Sequence, residues 1–109
     1  SAITPVDFFL STACFQHFPS KEYGFEVLRV IRTLCRDGAF GFIQIRYDNG
    51  KAKYKPISSL DEYEEKHITA TSYEIGEFWA LCHKAGFTPI SVCDIRPSIN
   101  YATFYLTAA

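Results

Sequence analysis

Apolar residues form four strand-like runs along this chain, at residues 6–11, 39–47, 88–95 and 101–107. These runs are rich in aromatic and β-branched side chains, which is typical of β-strands. The first run is nearly all apolar, so we expect a buried strand. The second begins apolar and then alternates, which indicates a strand buried on both faces that becomes half exposed at its carboxyl end.

Two stretches between these runs have the periodicity of amphipathic helices. Residues 21–35 follow Ser20, which is placed to cap the amino end, and Gly38 is expected as the left-handed residue beyond the other end. The second helix follows residues 71–74, a T-x-x-E capping box. The predicted buried faces consist of Gly24, Val27, Leu28, Ile31, Leu34 and Cys35 in the first helix, and of Ile75, Phe78, Trp79, Cys82 and Ala85 in the second.

The predicted order is strand, helix, strand, long loop, helix, strand, strand. A strand-helix-strand unit pairs its strands in parallel through a right-handed crossover, whereas the last two strands form an antiparallel hairpin. This order predicts an α/β fold, with a mixed sheet of about four strands and two main helices, in a single partial domain over residues 1–109. Residues 51–70 are predicted to be an inserted loop, either a binding loop or a solvated insertion.

Composition and charge restrict the classes of partner. The chain has 109 residues and a formal net charge of −1. This charge does not indicate the basic surface that nucleic-acid-binding proteins carry. No apolar stretch approaches the roughly 20 residues of a membrane-spanning helix. We therefore expect a soluble, cytoplasmic protein with no nucleic-acid or membrane partner. The four cysteines lie in or beside apolar runs without metal-site spacing, so we expect reduced core thiols and no metal.

Several motifs, taken in order, resemble the carboxyl-terminal half of class I S-adenosylmethionine-dependent methyltransferases. In that family the fourth strand, similar to VDFFLST here, precedes a motif such as vlqHip, which stands as CFQHFP at residues 14–19. The family's rpGG.f turn before its fifth strand is matched by residues 34–40, with Ala39 at the second glycine. Its l...l..aGF helix is matched by residues 78–87. The resemblance implies a Rossmann-like fold.

The resemblance also implies a place for S-adenosylmethionine. Ser11, Thr12 and Ala13 would lie near the sulfonium end of the cofactor, partly through backbone groups. From the residues alone, Ser11 and Thr12 could equally be the end of a strand.

The same resemblance implies an acceptor side formed by Gln16, His17, Arg46 and Tyr47. His17 could orient the acceptor or act as a general base, because the unperturbed pKa of histidine is near 6.5. A histidine that only bonds a loop carbonyl is the alternative. Arg46 and Tyr47 would line the substrate side, or would simply face solvent, as charged strand ends often do.

The family's glycine-rich turn and its ribose-binding acid have no match in this sequence. Because the chain also lacks methionine, we expect a piece of a longer enzyme that binds the cofactor weakly by itself and whose acceptor is an unidentified small molecule. The alternative is a non-catalytic binding or assembly module. In either case an unpaired first strand is expected to favour a homodimer or a strand-exchanged oligomer.

Overall fold

The computed structural model describes residues 4–12, 14–48 and 71–108. The predicted order of elements is confirmed, whereas the predicted loop at residues 51–70 lies outside the described residues. The elements are β1 (Val6–Ser11), a 3₁₀ turn (Phe15–His17), α1 (Lys21–Leu34), β2 (Cys35–Arg46), α2 (Ile75–Lys84), β3 (Thr88–Arg96) and β4 (Tyr101–Thr107).

The strands form one mixed sheet in the order β1-β2-β4-β3. β1 runs parallel to β2, with Ser11 opposite Ile43. β4 is antiparallel to both of its neighbours, so the final hairpin returns between β2 and β3. The predicted parallel pair and the predicted antiparallel hairpin are both confirmed.

The core lies on one face of the sheet. Alternate residues of β2 and β4, such as Ile43 and Phe104, are fully buried there. They share one apolar cluster with Leu28 of α1 and with Phe78 and Cys82 of α2. Burial of these side chains provides the main stabilising free energy of the chain.

The opposite face carries a row of aromatic rings. Phe8 meets the ring of Phe40 with centroids 5.3 Å apart, and Phe42 stacks on Tyr105 at 5.1 Å. Phe8 and Leu10 of β1 are 47% and 63% exposed, so the prediction of a buried first strand is wrong. Within the described residues β1 is an edge strand, and neither helix covers the face on which these two side chains lie.

The junction between α1 and β2 differs from the prediction. Ser20 caps α1 as predicted, its Oγ accepting a hydrogen bond of 3.1 Å from the amide of Tyr23. The helix ends at Leu34 and the strand begins at once at Cys35, four residues earlier than predicted. Gly38 does have a positive φ of 86°, but it lies inside β2 and donates to the Ala108 carbonyl. It therefore shapes the strand rather than capping the helix.

The start of α2 also differs from the prediction. Glu74 is the N-cap, and the capping box joins Glu74 to Glu77 rather than Thr71 to Glu74. Residues 71–73 lie beside the end of β2 instead: Thr71 donates to the Gln16 carbonyl, and Tyr73 donates to the Arg46 carbonyl and accepts from the amide of Asp48. Because Asp48 uses the Tyr73 carbonyl, this carbonyl does not accept the bond of a helical turn that begins here.

The two helices bury narrower faces than predicted. Gly24 and Leu28 are buried in α1, but Trp79 of α2 is 36% exposed and is not a core residue.

All four cysteines are free thiols, as predicted. Cys35 and Cys82 are buried, whereas Cys14 and Cys93 are exposed, so the prediction of core thiols holds for only two of them.

Candidate functional site

The candidate site lies at the carboxyl ends of the two parallel strands. β1 ends at Ser11, which is half-buried, and Thr12 beyond it is exposed. Ala13 lies outside the described residues. β2 continues three residues past Ile43, the partner of Ser11, and ends at Arg46. The two strands thus end at different levels, and the 3₁₀ turn follows the shorter one.

Aromatic packing holds this turn in place. Phe15 is buried, with its ring 4.8 Å from that of Phe18 and 5.7 Å from that of Phe78. The amide of His17 donates to the Cys14 carbonyl at 3.0 Å, and the His17 side chain is half-buried. Gln16, between them, is only 4% exposed. A buried carboxamide and a half-buried imidazole therefore follow the end of β1.

Gln16 reaches across to the amino end of β4. Its Nε2 donates to the Tyr101 hydroxyl at 3.2 Å. Tyr101 is the ladder partner of Arg46, and Arg46 is 3% exposed. The structure thus brings two predicted acceptor-side residues, Gln16 and Arg46, to the same tyrosine. The alternative of a solvated strand end is wrong for Arg46.

Tyr47 is fixed through its backbone. Its amide donates to the Asn100 carbonyl at 2.9 Å, and Asn100 Nδ2 donates to the Tyr47 carbonyl. On its other side Tyr47 forms a parallel bridge with Tyr73, and the amide of Asp48 donates to the Tyr73 carbonyl at 2.8 Å. We call Gln16, Arg46, Tyr47 and Tyr101 the polar rim.

The sequence reasoning missed Tyr73, Asn100 and Tyr101 as neighbours of the site. A signal existed for the last two. An antiparallel strand beside β2 starts where β2 ends, so polar residues at the start of β4 must reach the rim. Asn100 has a positive φ of 60°, a conformation that asparagine tolerates better than most residues. Tyr73 had no such signal, because its segment was assigned to a helix cap.

Near the rim, Gln16 Oε1 and Tyr73 Oη are buried atoms for which no described residue provides a hydrogen-bond partner. Burial raises the pKa of the Tyr73 hydroxyl well above its ordinary value, and the nearby charge of Glu77 adds to the shift. The hydroxyl lies against Gly24, where a side chain would collide with it. It therefore belongs to the packing of α1.

Residues 4–12, 14–48 and 71–108 are the part of the chain that the structure describes. Among them, no three His, Cys, Asp or Glu side chains are grouped as a metal ion would require. The helices in these residues are too short or too polar to cross a membrane.

No family model matches this sequence, and no curated protein sequence matches it. Solved structures do match. The mitomycin 7-O-methyltransferase MmcR superposes with a TM-score of 0.70 at 13% identity, covering 100% of this chain and 31% of that chain. The Burkholderia thailandensis 1,6-didemethyltoxoflavin-N1-methyltransferase, solved with S-adenosylhomocysteine, gives 0.71 at 18% identity, covering 98% and 45%.

The chain therefore has the fold of the carboxyl-terminal half of class I S-adenosylmethionine-dependent methyltransferases, as predicted. It spans less than half the length of these two relatives. At such low identity the likeness concerns the fold alone. A chain described as a pericyclic reaction enzyme matches with a TM-score of 0.68 at 13% identity, covering 98% of this chain and 27% of that chain. The reaction must therefore be argued from the site.

Proposed function

We propose that this chain forms the acceptor side of an S-adenosylmethionine-dependent methyltransferase that acts on a small molecule. The polar rim carries the proposal. It joins a buried carboxamide, a buried guanidinium and a tyrosine hydroxyl at the carboxyl edge of a parallel pair, where open α/β sheets bind their ligands. Structural neighbours that are methyltransferases support the choice of reaction.

The roles proposed for single residues follow their places on this edge. Ser11 and Thr12, with Ala13, would lie beside the sulfonium end of the cofactor, since they end or follow β1. When bound, S-adenosylmethionine supplies a methyl group that is already electrophilic. What remains for the protein is to align the acceptor atom, so positioning contributes most of the rate enhancement.

The proposed acceptor-side residues are Gln16, Arg46 and Tyr47, together with His17. The half-buried His17 would orient the acceptor or take its proton. A near-neutral formal charge of −1 is in keeping with a small-molecule acceptor rather than a nucleic acid.

The cofactor-cradling half is proposed to be another stretch of polypeptide. The motifs that the resemblance assigns to that half, a glycine-rich turn after the family's first strand and an acid that ends the family's second strand, have no match in the 109 residues. The free edge of β1 is where a parallel strand of that half would pair. By itself, this chain is expected to bind the cofactor weakly.

Titration calorimetry with S-adenosylhomocysteine tests the proposal. We expect at most weak binding by this chain, and a dissociation constant in the micromolar range or lower for the longer polypeptide that the proposal requires. Circular dichroism checks that the longer protein is folded. Failure of the longer, folded protein to bind the cofactor would refute the methyltransferase proposal.

The exposed edge of β1 favours a second candidate, a non-catalytic module that assembles with another copy of itself. β1 is hydrogen-bonded to β2 on one side only among the described residues, and Phe8 and Leu10 are exposed beside it. Such an edge is a template for strand addition. Cofactor binding by the longer protein separates the two candidates, since assembly alone requires none.

A further inference from the structure

The flank of α1 that faces away from α2 carries a line of apolar side chains that are half-buried or exposed. The Phe25 ring marks the flank that faces α2, because Lys84 Nζ of α2 lies 5.5 Å from its centroid. Tyr23 and Val30 lie roughly half a turn around the helix from Phe25, and they are 51% and 56% exposed. We call the four apolar residues on this line the α1 stripe: Tyr23, Val27, Val30 and Leu34.

The α1 stripe has the spacing of a helix that packs on another helix. Its members are separated by four, three and four residues, as in the seam of a coiled coil. An open groove of about 290 Å³ is lined by Tyr23, Glu26, Val27 and Val30, which are positions i, i+3, i+4 and i+7. Four residues of one helix form the hole that receives a side chain of the facing helix in a coiled coil. The groove therefore fits an apolar side chain that a second helix presents.

Pairing between two β1 strands brings such a helix to this flank. β1 is the last strand on its side of the sheet among the described residues. If two copies pair antiparallel about Phe9, a twofold axis runs perpendicular to the joined sheet. This axis keeps both copies of α1 on the same face and makes the two helices antiparallel. A crossover helix packs over the strands that it connects, so the two helix axes lie about 10 Å apart, a normal distance for packed helices.

The levels of the strand and the helix agree with this arrangement. α1 ends beside Cys35, the ladder partner of Val6. Phe9 lies three residues further along β1, which is about 10 Å. The same distance back along α1 is about seven residues. The twofold axis through Phe9 therefore passes α1 near residue 28, between Val27 and Val30 in the middle of the α1 stripe.

We propose that, when this chain is by itself, the α1 stripe is an interface for a second copy of it. The two α1 helices pack antiparallel across the twofold axis, and Val30 of each copy enters the groove of the other. Tyr23 of one copy meets Leu34 of the other, and Val27 meets Val30. The interface thus has two layers, a helix pair above a strand pair. This inference concerns assembly and does not depend on the proposed reaction.

The charges beside the stripe suit this antiparallel arrangement. Glu26 borders the groove and pairs with Arg29 of its own helix at 3.5 Å. In the antiparallel pair, Glu26 of one copy lies near Thr33 of the other, because the helix directions are opposed. In a parallel pair it would lie near a second Glu26, and like charges at that distance repel.

Sedimentation velocity of the 109-residue chain across micromolar concentrations tests the interface, and we expect the parent to form a dimer. Val30→Lys places an ammonium group in the groove and is expected to weaken the dimer roughly tenfold or more. Ile90→Lys is the matched control, since Ile90 is 49% exposed on β3 at the far edge of the sheet. It should dimerise as the parent does. Circular dichroism checks that each variant is folded.

A mixture of two variants tests whether the stripe meets a second α1. The two side chains at position 30 lie about 5 Å apart along the helices across the axis. Val30→Lys and Val30→Glu are each expected to dimerise weakly alone, because like charges then lie close together. Their equimolar mixture is expected to recover a dimer, since opposite charges meet in it.

A parent that is monomeric at every concentration, full dimerisation of folded Val30→Lys, or a mixture that stays monomeric would overturn the inference. Loss of the dimer in Leu10→Lys with retention in Val30→Lys would also overturn it, because strand pairing would then occur without the helix contact. None of these measurements contains the cofactor. Their outcome is therefore separate from the calorimetric test of the methyltransferase proposal.

Discussion

At the scale of single residues, the packing of Tyr73 leaves no room for a side chain at Gly24. An alanine methyl at this position would collide with the buried Tyr73 hydroxyl. Glycine-to-alanine changes within a helix ordinarily stabilise by about 1 kcal/mol. Here we expect Gly24→Ala to lower the free energy of unfolding by about 1–3 kcal/mol, because overpacking outweighs helix propensity. Urea denaturation measures the change.

A matched control and a second variant isolate this collision. Gly76 in α2 has open space around it, so Gly76→Ala is expected to be neutral or to stabilise by up to about 1 kcal/mol. Tyr73→Phe removes the obstructing oxygen and should recover most of the loss in the Gly24→Ala background. An equal loss in both backgrounds would show that the hydroxyl is not the cause.

Two buried acids make the chain sensitive to alkali. Burial raises the pKa values of the Cys82 thiol and the Tyr73 hydroxyl above their ordinary values. The folded state thus holds these protons more tightly, and the unfolded state binds fewer of them at high pH. Their contribution is complete below the unfolded pKa values, about 8.5 for Cys and 10 for Tyr, and is lost as pH rises through the folded values.

We therefore expect the free energy of unfolding to fall above about pH 9, with a slope of at most about 1.4 kcal/mol per pH unit for each group. Denaturant titrations between neutral pH and pH 11 measure that slope. Cys82→Ala should flatten the part that begins near pH 9, and Tyr73→Phe the part above pH 10. An unchanged slope in both variants would contradict the assignment to these groups.

At the scale of elements, two hydroxyl groups on α1 have opposite expected effects. Ser20 accepts from the amide of Tyr23 at the helix start, so Ser20→Ala should cost about 1 kcal/mol. Thr33 bonds the Val30 carbonyl within the helix, and Thr33→Ala should be neutral or stabilising by up to about 0.7 kcal/mol because alanine has the higher propensity. Thermal unfolding of both variants tests this. If both variants lost the same amount of stability, the capping bond of Ser20 would contribute no more than the Thr33 hydroxyl does.

The sequence predicts those elements whose determinants are local. The cap at Ser20, the period of α1 and the run at residues 101–107 each carry their own signal, and all three are confirmed. The predictions fail where contacts with residues far along the chain determine the local structure. Residues 71–73 satisfy a capping pattern, yet they bond to Gln16 and Arg46. The residues after Leu34 extend the helical pattern, yet Cys35 pairs with Val6 in the sheet.

The candidate site was predictable to a similar degree. Order along the chain places Gln16 shortly after the end of one parallel strand and Arg46 at the end of the other, and that is enough to predict that they share an edge. It does not predict that Arg46 is buried, because its burial depends on the β4 strand that returns beside it. The Gln16 to Tyr101 hydrogen bond joins residues 85 positions apart, and no local pattern reports such a contact.

At the scale of the whole molecule, the aromatic face that neither helix covers and the edge of β1, which no other described strand pairs with, form one continuous surface. Phe8 lies on this face, in contact with Phe40 and Phe42, and β1 carries a single charged residue, Asp7, which is paired with Arg36. Edge strands of monomers usually carry lysine, proline or a bulge that discourages pairing. The irregular register of β1 against β2 falls before this segment, between Val6 and Phe8. The segment from Phe8 to Leu10 has no lysine or proline, so among the described residues this part of the edge is open to another strand.

For the chain by itself we expect pairing with a second copy. Antiparallel pairing of two β1 strands about Phe9 sets Phe8 opposite Leu10 on the uncovered face, and Asp7 opposite Ser11 on the other, so no like charges meet. Sedimentation velocity across micromolar concentrations should show a dimer. Leu10→Lys should shift it to monomer, whereas Ile90→Lys, at a 49% exposed position on the opposite edge strand β3, should not. A compact monomer at every concentration, or dissociation by the β3 variant alone, would refute pairing through β1.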